Sequence, residues 1–99
     1  MQIIEATTLK QRMVSEKINL IDVRQPEEHA EFNIGGILLP LGNIMSMQIE
    51  AIEDLRDQEV ICYCRSGQRS MQATMMLETM GFTNVKNLAG GMLGWGREM

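Results

Sequence analysis

The 99-residue chain is poor in the residues that build metal sites and disulfide frameworks: it has one histidine and two cysteines. A Cys-x-Cys pair, Cys62 and Cys64, with His29 far away in sequence falls short of the four ligands of a structural zinc site, so no metal is expected. Cysteines two apart also make a poor structural disulfide, because so small a ring strains the bond. A reducing compartment and at least one working thiol fit better. Positive charge is scarce as well: nine Lys and Arg against thirteen Asp and Glu give a net charge of −4, with no basic run. That removes the electrostatic footprint that nucleic acid or an anionic membrane surface requires. No apolar run exceeds five residues, against the roughly 20 needed to span a bilayer. The first thirty residues lack the basic and then apolar segments of a secretory signal. The expected location is the cytoplasm.

What is present is an ordinary globular balance, 44 % apolar and 22 % charged, with the two prolines and nine glycines scattered as punctuation. The length suits one domain over residues 1–99. Short runs rich in Ile, Leu and Val predict strands over 2–4, 18–23, 37–39, 60–63 and 84–88. Between the first two, Thr8 to Gln11 has capping-box spacing, with Leu9, Met13 and Val14 on one helical face. Pro26 suits a first helical position, with Glu27 and Glu28 favoured by the helix dipole and an end near Glu31. Further helical patterns run over 44–55 and 68–80, the last ended by Gly81 at a left-handed C-cap position. This alternation predicts an α/β domain with a mostly parallel sheet covered on both faces. Such sheets bind ligands at the carboxyl ends of their strands, which directs attention to residues 22–26 and 64–70.

Residues 60–70 are an apolar strand running into a short polar loop that opens a helix. Cys64 is the first residue off the strand, facing the amide groups of the turn and the positive end of the helix, with Arg65 and Arg69 nearby. Each influence favours thiolate over thiol, so Cys64 is expected to be a low-pKa nucleophile. Gly67 lets the backbone curl into an anion nest, and Ser66 and Ser70 add hydroxyl donors.

The sequence Cys64-Arg65-Ser66-Gly67-Gln68-Arg69-Ser70 resembles the active-site loop of the rhodanese family of sulfurtransferases. Ile21-Asp22-Val23-Arg24, with the Pro26-Glu27-Glu28 that follows, resembles the family's Asp-Val-Arg segment. Leu88-Ala89-Gly90-Gly91-Met92-Leu93-Gly94-Trp95 resembles its Gly-Gly-x-x-x-Trp signature. The likeness covers almost the whole chain and implies a three-layer sandwich around a five-stranded parallel sheet. One segment departs: where the family usually carries Gly-His-Ile-Pro-Gly-Ala, this chain has Phe32-Asn33-Ile34-Gly35-Gly36-Ile37, a change assigned to loop packing.

The resemblance implies a thiosulfate sulfurtransferase without cofactor. Cys64 would take sulfur from thiosulfate or another sulfane-sulfur donor as a persulfide. Cyanide, a small thiol or a thioredoxin-like protein would then remove it. Arg65 and Arg69 would bind the sulfonate, and the loop from Arg65 through Ser66, Gly67, Gln68 and Arg69 to Ser70 would stabilise the persulfide. Phosphatases and arsenate reductases of related fold place an arginine one position further from the cysteine. Here that position is Ser70, which cannot clamp an oxyanion bidentately. A non-catalytic binding module or a persulfide carrier remains the alternative. Asp22 and Arg24 are expected to support the loop beneath the site, His29 to be a boundary residue, and Cys62 to be a buried strand residue. Met71, Met75, Met76 and Met80 are expected in the core, and Met92 and Trp95 at the pocket rim, where they would meet a protein acceptor.

Overall fold

The computed structural model describes residues 1–96. Helical structure follows each strand and carries the chain back across the sheet, so every strand pairing is parallel. The order along the chain is β1 (Gln2–Ile4), α1 (Ala6–Ser15), β2 (Leu20–Asp22), α2 (Pro26–Glu31), β3 (Ile37–Leu38), α3 (Leu41–Met45), a 3₁₀ helix (Glu50–Leu55), β4 (Glu59–Tyr63), α4 (Gln68–Thr79), β5 (Asn84–Leu88) and α5 (Gly91–Trp95). In the sheet the strands lie β1-β5-β4-β2-β3, which puts β4 in the middle.

The period-two alternation of β4 divides the core. Val60, Cys62 and Cys64 join the layer that contains Ile44, Ile52, Ala73 and Leu77 of α3, the 3₁₀ helix and α4. Ile61 and Tyr63 point the other way, into the layer with Leu9 of α1 and Met92 of α5. Both faces are therefore covered, and the carboxyl end of β4 opens between the layers.

Three local expectations are corrected. Helix α1 begins at Ala6, with Glu5 as a cap that makes no side-chain bond, so the Thr8 to Gln11 capping box is unused and Val14 is 87 % exposed. The capping box forms instead at α2, where the Gln25 N–H donates to Glu28 Oε1 at 2.9 Å. The single helix over 44–55 is broken, with Met47 at a φ of 63° between α3 and the 3₁₀ helix. Ile44 and Ile49 are both buried, yet five residues of continuous helix would turn them about 140° apart. Breaking the helix lets both reach the core. Met71 and Met75 are also 41 % and 55 % exposed, so only Met76 and Met80 of that stripe pack against the core.

Candidate active site

Cys64 follows the last residue of β4 and is fully buried. The chain turns over residues 64–67 and enters α4 through Gly67, whose φ of 102° is a left-handed conformation that glycine adopts without a Cβ penalty. This turn aims donors at the sulfur. The Gly67 N–H lies 3.0 Å from Sγ, and the N–H and Oγ of Ser70 each lie 3.4 Å away. Burial alone would raise the Cys64 pKa. Hydrogen bonds from the Ser70 hydroxyl and from the N–H groups of Ser70, Gly67 and Ser66 outweigh it, and the thiol is held below its ordinary value. Hydrogen bonding is thus the chief source of the lowering, where the sequence pointed also to arginine charge.

Ser70 has one hydroxyl proton and three acceptors within reach: Cys64 Sγ, Gly67 O and Asn87 Oδ1. Asn87 Oδ1 is the closest of them. Its Nδ2 donates to Gly67 O at 3.2 Å, which fixes the amide orientation and leaves Oδ1 toward Ser70. The constant donors to sulfur are therefore the backbone N–H groups, and Asn87 holds the turn that presents them. Sequence reasoning missed Asn87. Its only signal was a polar residue placed between the apolar Val85 and Leu88 of a buried strand. Asn87→Ala leaves the Ser70 hydroxyl without its nearest acceptor and the turn without a buried bond, a loss of about 2 kcal/mol. The expected result is a melting temperature lower by about 10 °C for a chain of this size, measured by thermal melts. An unchanged melting temperature would mean that the turn does not depend on Asn87.

Cys62 lies on the same face of β4, fully buried, with its thiol pushed up to about 12 by burial and then by the charge of Cys64. Both cysteines are free thiols.

The remaining loop residues divide. Arg65, Ser66 and Gln68 are exposed, and Arg69 is half-buried. Arg65 reaches a neighbouring cleft of about 90 Å³ that it shares with Arg24, Glu28, Glu31, Phe32 and Met92. Arg69 instead donates to both carboxylate oxygens of Glu28, at 2.8 and 2.9 Å. The bonds to Arg69 come first among the causes that hold the Glu28 carboxyl at about 2.

Beneath the loop, Asp22 is fully buried and accepts from Arg24 N, Nε and Nη2 at 2.9–3.0 Å, with His29 Nδ1 2.7 Å away. Burial would raise the Asp22 pKa, but these bonds leave it below the ordinary carboxylate value. Arg24 Nη2 also donates to Phe32 O at 2.6 Å, so one guanidinium ties β2 to the end of α2 and still borders the cleft. In the departing segment, Asn33 Oδ1 accepts from Gly35 N–H at 2.8 Å and Tyr63 Oη donates to Gly35 O at 2.8 Å. These local bonds pack the segment against β4.

Helix α5 supports the loop from the other side. The N–H groups of Met92 and Leu93 donate to the carbonyls of Cys64 and Arg65 at 2.8 and 2.9 Å. Those carbonyls are held by α5 while the following N–H groups turn toward sulfur. Gly91, at a φ of 55°, sits so close that a Cβ would fall on Cys64 O and within 2.7 Å of Arg65 C. Met92 is buried and borders the cleft, whereas Trp95 turns away to α1, where Lys10 Nζ lies 4.9 Å from its ring centre.

A rhodanese-like domain model matches residues 5–98. A sulfurtransferase from Allochromatium vinosum is 40 % identical over 96 residues, covering 95 % of this chain and 87 % of that protein. The human thiosulfate:glutathione sulfurtransferase is 30 % identical over 99 aligned residues, 88 % of this chain and 86 % of its own length. Among solved structures, the human single-domain sulfurtransferase TSTD1 superimposes with a TM-score of 0.83 at 27 % identity, covering 100 % of this chain and 98 % of the other.

Proposed function

The chain belongs to the rhodanese-like family of sulfurtransferases, and from that premise we propose that it moves sulfane sulfur from thiosulfate, or a related donor, through a Cys64 persulfide. The Cys64 thiolate attacks the outer sulfur of thiosulfate. A new S–S bond forms, the old one breaks, and sulfite leaves with the electron pair. An acceptor then attacks the outer sulfur of the persulfide and the Cys64 thiolate is returned. Cyanide becomes thiocyanate in this step, and a small thiol or a thioredoxin-like protein thiol becomes a persulfide. No general base is needed, since the nucleophile is ionised before it attacks.

The observation that carries this reading is the set of N–H groups directed at Sγ from Gly67 and Ser70. They stabilise negative charge on the sulfur before attack and on the persulfide after it. Arg65, at the cleft edge, is the cation placed to meet the sulfonate. Sulfur rather than phosphorus chemistry is supported by Ser70, six residues beyond Cys64, whose hydroxyl rather than a guanidinium faces the sulfur.

The test is thiocyanate formation from thiosulfate and cyanide, with the sulfite-releasing step followed alone in single turnover across pH, so that protonation of cyanide does not enter. That step follows the thiolate fraction and rises with pH as Cys64 ionises. With the Cys64 pKa lowered, the midpoint of the rise is expected below the free-thiol value of about 8.5. A midpoint at or above that value would contradict a preformed thiolate, and no thiocyanate at any pH would remove the thiosulfate reading.

A further inference from the structure

The second arginine that the loop offers, Arg69, is already engaged. Arg69 and Glu28 form a bidentate pair at 2.8 and 2.9 Å across 41 residues of sequence, joining α2 to the first turn of α4. Arg24 is likewise engaged by the buried carboxylate of Asp22. Among the described residues, Arg65 is the one arginine at the cleft with no ion pair. Glu28 is held from its other side too, since Oε1 accepts the Gln25 N–H at 2.9 Å within the α2 capping box. Its position is set by the start of a helix, and it borders the cleft itself. A donor with two negative charges that is met by Arg65 therefore finds the loop's second cation held by a fixed carboxylate.

We propose that Glu28 is a specificity-determining residue, which by occupying Arg69 disfavours dianionic sulfur donors relative to uncharged or singly charged ones at Cys64. The inference rests on the proposed reaction only in assigning Cys64 as the atom the donor approaches. Glu28→Gln removes the charge yet keeps an amide oxygen that accepts the Gln25 N–H, so the α2 cap survives while the ion pair with Arg69 is lost. Glu27→Gln is the matched control. It removes the same charge from an exposed residue of the same helical turn that forms neither the Arg69 pair nor the cleft wall.

Two measurements separate this inference from the reaction itself. In steady-state assays with thiosulfate, Glu28→Gln is expected to lower KM about five-fold, the scale of a partly exposed ion pair, with kcat held within about two-fold. The second needs no sulfur transfer: the rate of Cys64 alkylation by anionic iodoacetate divided by that by neutral iodoacetamide. That ratio is expected to rise about five-fold in Glu28→Gln and to stay within about two-fold of the parent in Glu27→Gln. The alkylation ratio decides. No rise in Glu28→Gln, or an equal rise in Glu27→Gln, overturns the role of Glu28. Failure of the parent protein to use thiosulfate would count against the proposed donor and leave the ratio as a valid test.

Discussion

Cys64→Ser is expected to lower thiocyanate formation by a factor on the order of 10⁵ while the melting temperature stays within about 5 °C of the parent. The two outcomes have separate causes. A serine hydroxyl at this position stays protonated at neutral pH and is a poor nucleophile toward sulfane sulfur, so the covalent step is lost. Its oxygen nevertheless sits where the Gly67 and Ser70 N–H groups point and accepts from them, so the turn keeps its bonds. Thermal melts and thiocyanate assays on the same preparation check both halves. Residual activity within about ten-fold of the parent would place the reacting sulfur elsewhere. Cys62 is the other thiol, and its burial and raised pKa make it a poor substitute.

Gly91→Ala is expected to destabilise the fold by about 3 kcal/mol, lowering the melting temperature by about 15 °C for a chain of this size. A positive φ contributes about 1 kcal/mol of that for any residue with a Cβ. The rest arises because the new Cβ lands on the backbone of Cys64 and Arg65, where no side chain can move aside. Displacing α5 also breaks the Met92 and Leu93 N–H bonds to the Cys64 and Arg65 carbonyls. Release of those carbonyls tilts the turn that aims N–H groups at sulfur, so kcat/KM is expected to fall more than about ten-fold even well below the melting temperature. Gly90→Ala is the informative comparison. Gly90 has a φ of 72°, but its Cβ would meet only Gly94, at 3.3 Å from Cα and 3.7 Å from N, so a cost nearer 1 kcal/mol is expected. Thermal melts of the two variants check the contrast, and equal losses would mean that α5 does not anchor the loop.

The parts of this site that could be read from the sequence are those made by neighbours in the chain. Strand β4 announced itself by four apolar residues, Val60 to Tyr63, and Cys64 by its place directly after them with Gly67 and Ser70 close behind. The β4 alternation is also local, which is why Cys62 and Cys64 could be assigned to one face. Contacts made across the sheet left no such trace. Asn87 meets Ser70 only because β5 lies beside β4, and the strand order is not written in any one strand. Glu28 drew attention as a helix-start acid, while its pairing with Arg69 depends on α2 and α4 meeting at the carboxyl ends of their strands. The glycine pair at 90 and 91 was visible as a signature, yet the reason for Gly91 lies in its backbone approach to a loop some 27 residues earlier, from Cys64 to Gly91. Helix α5 itself gave no periodic pattern, since two of its five residues are glycine.

The most direct test is the intact mass of the reduced protein after incubation with thiosulfate, before and after cyanide. Sulfur transfer through Cys64 requires a gain of one sulfur atom, about 32 Da, that cyanide removes and that Cys64→Ser does not acquire. A mass unchanged by thiosulfate, or a gain that persists in Cys64→Ser, would contradict it.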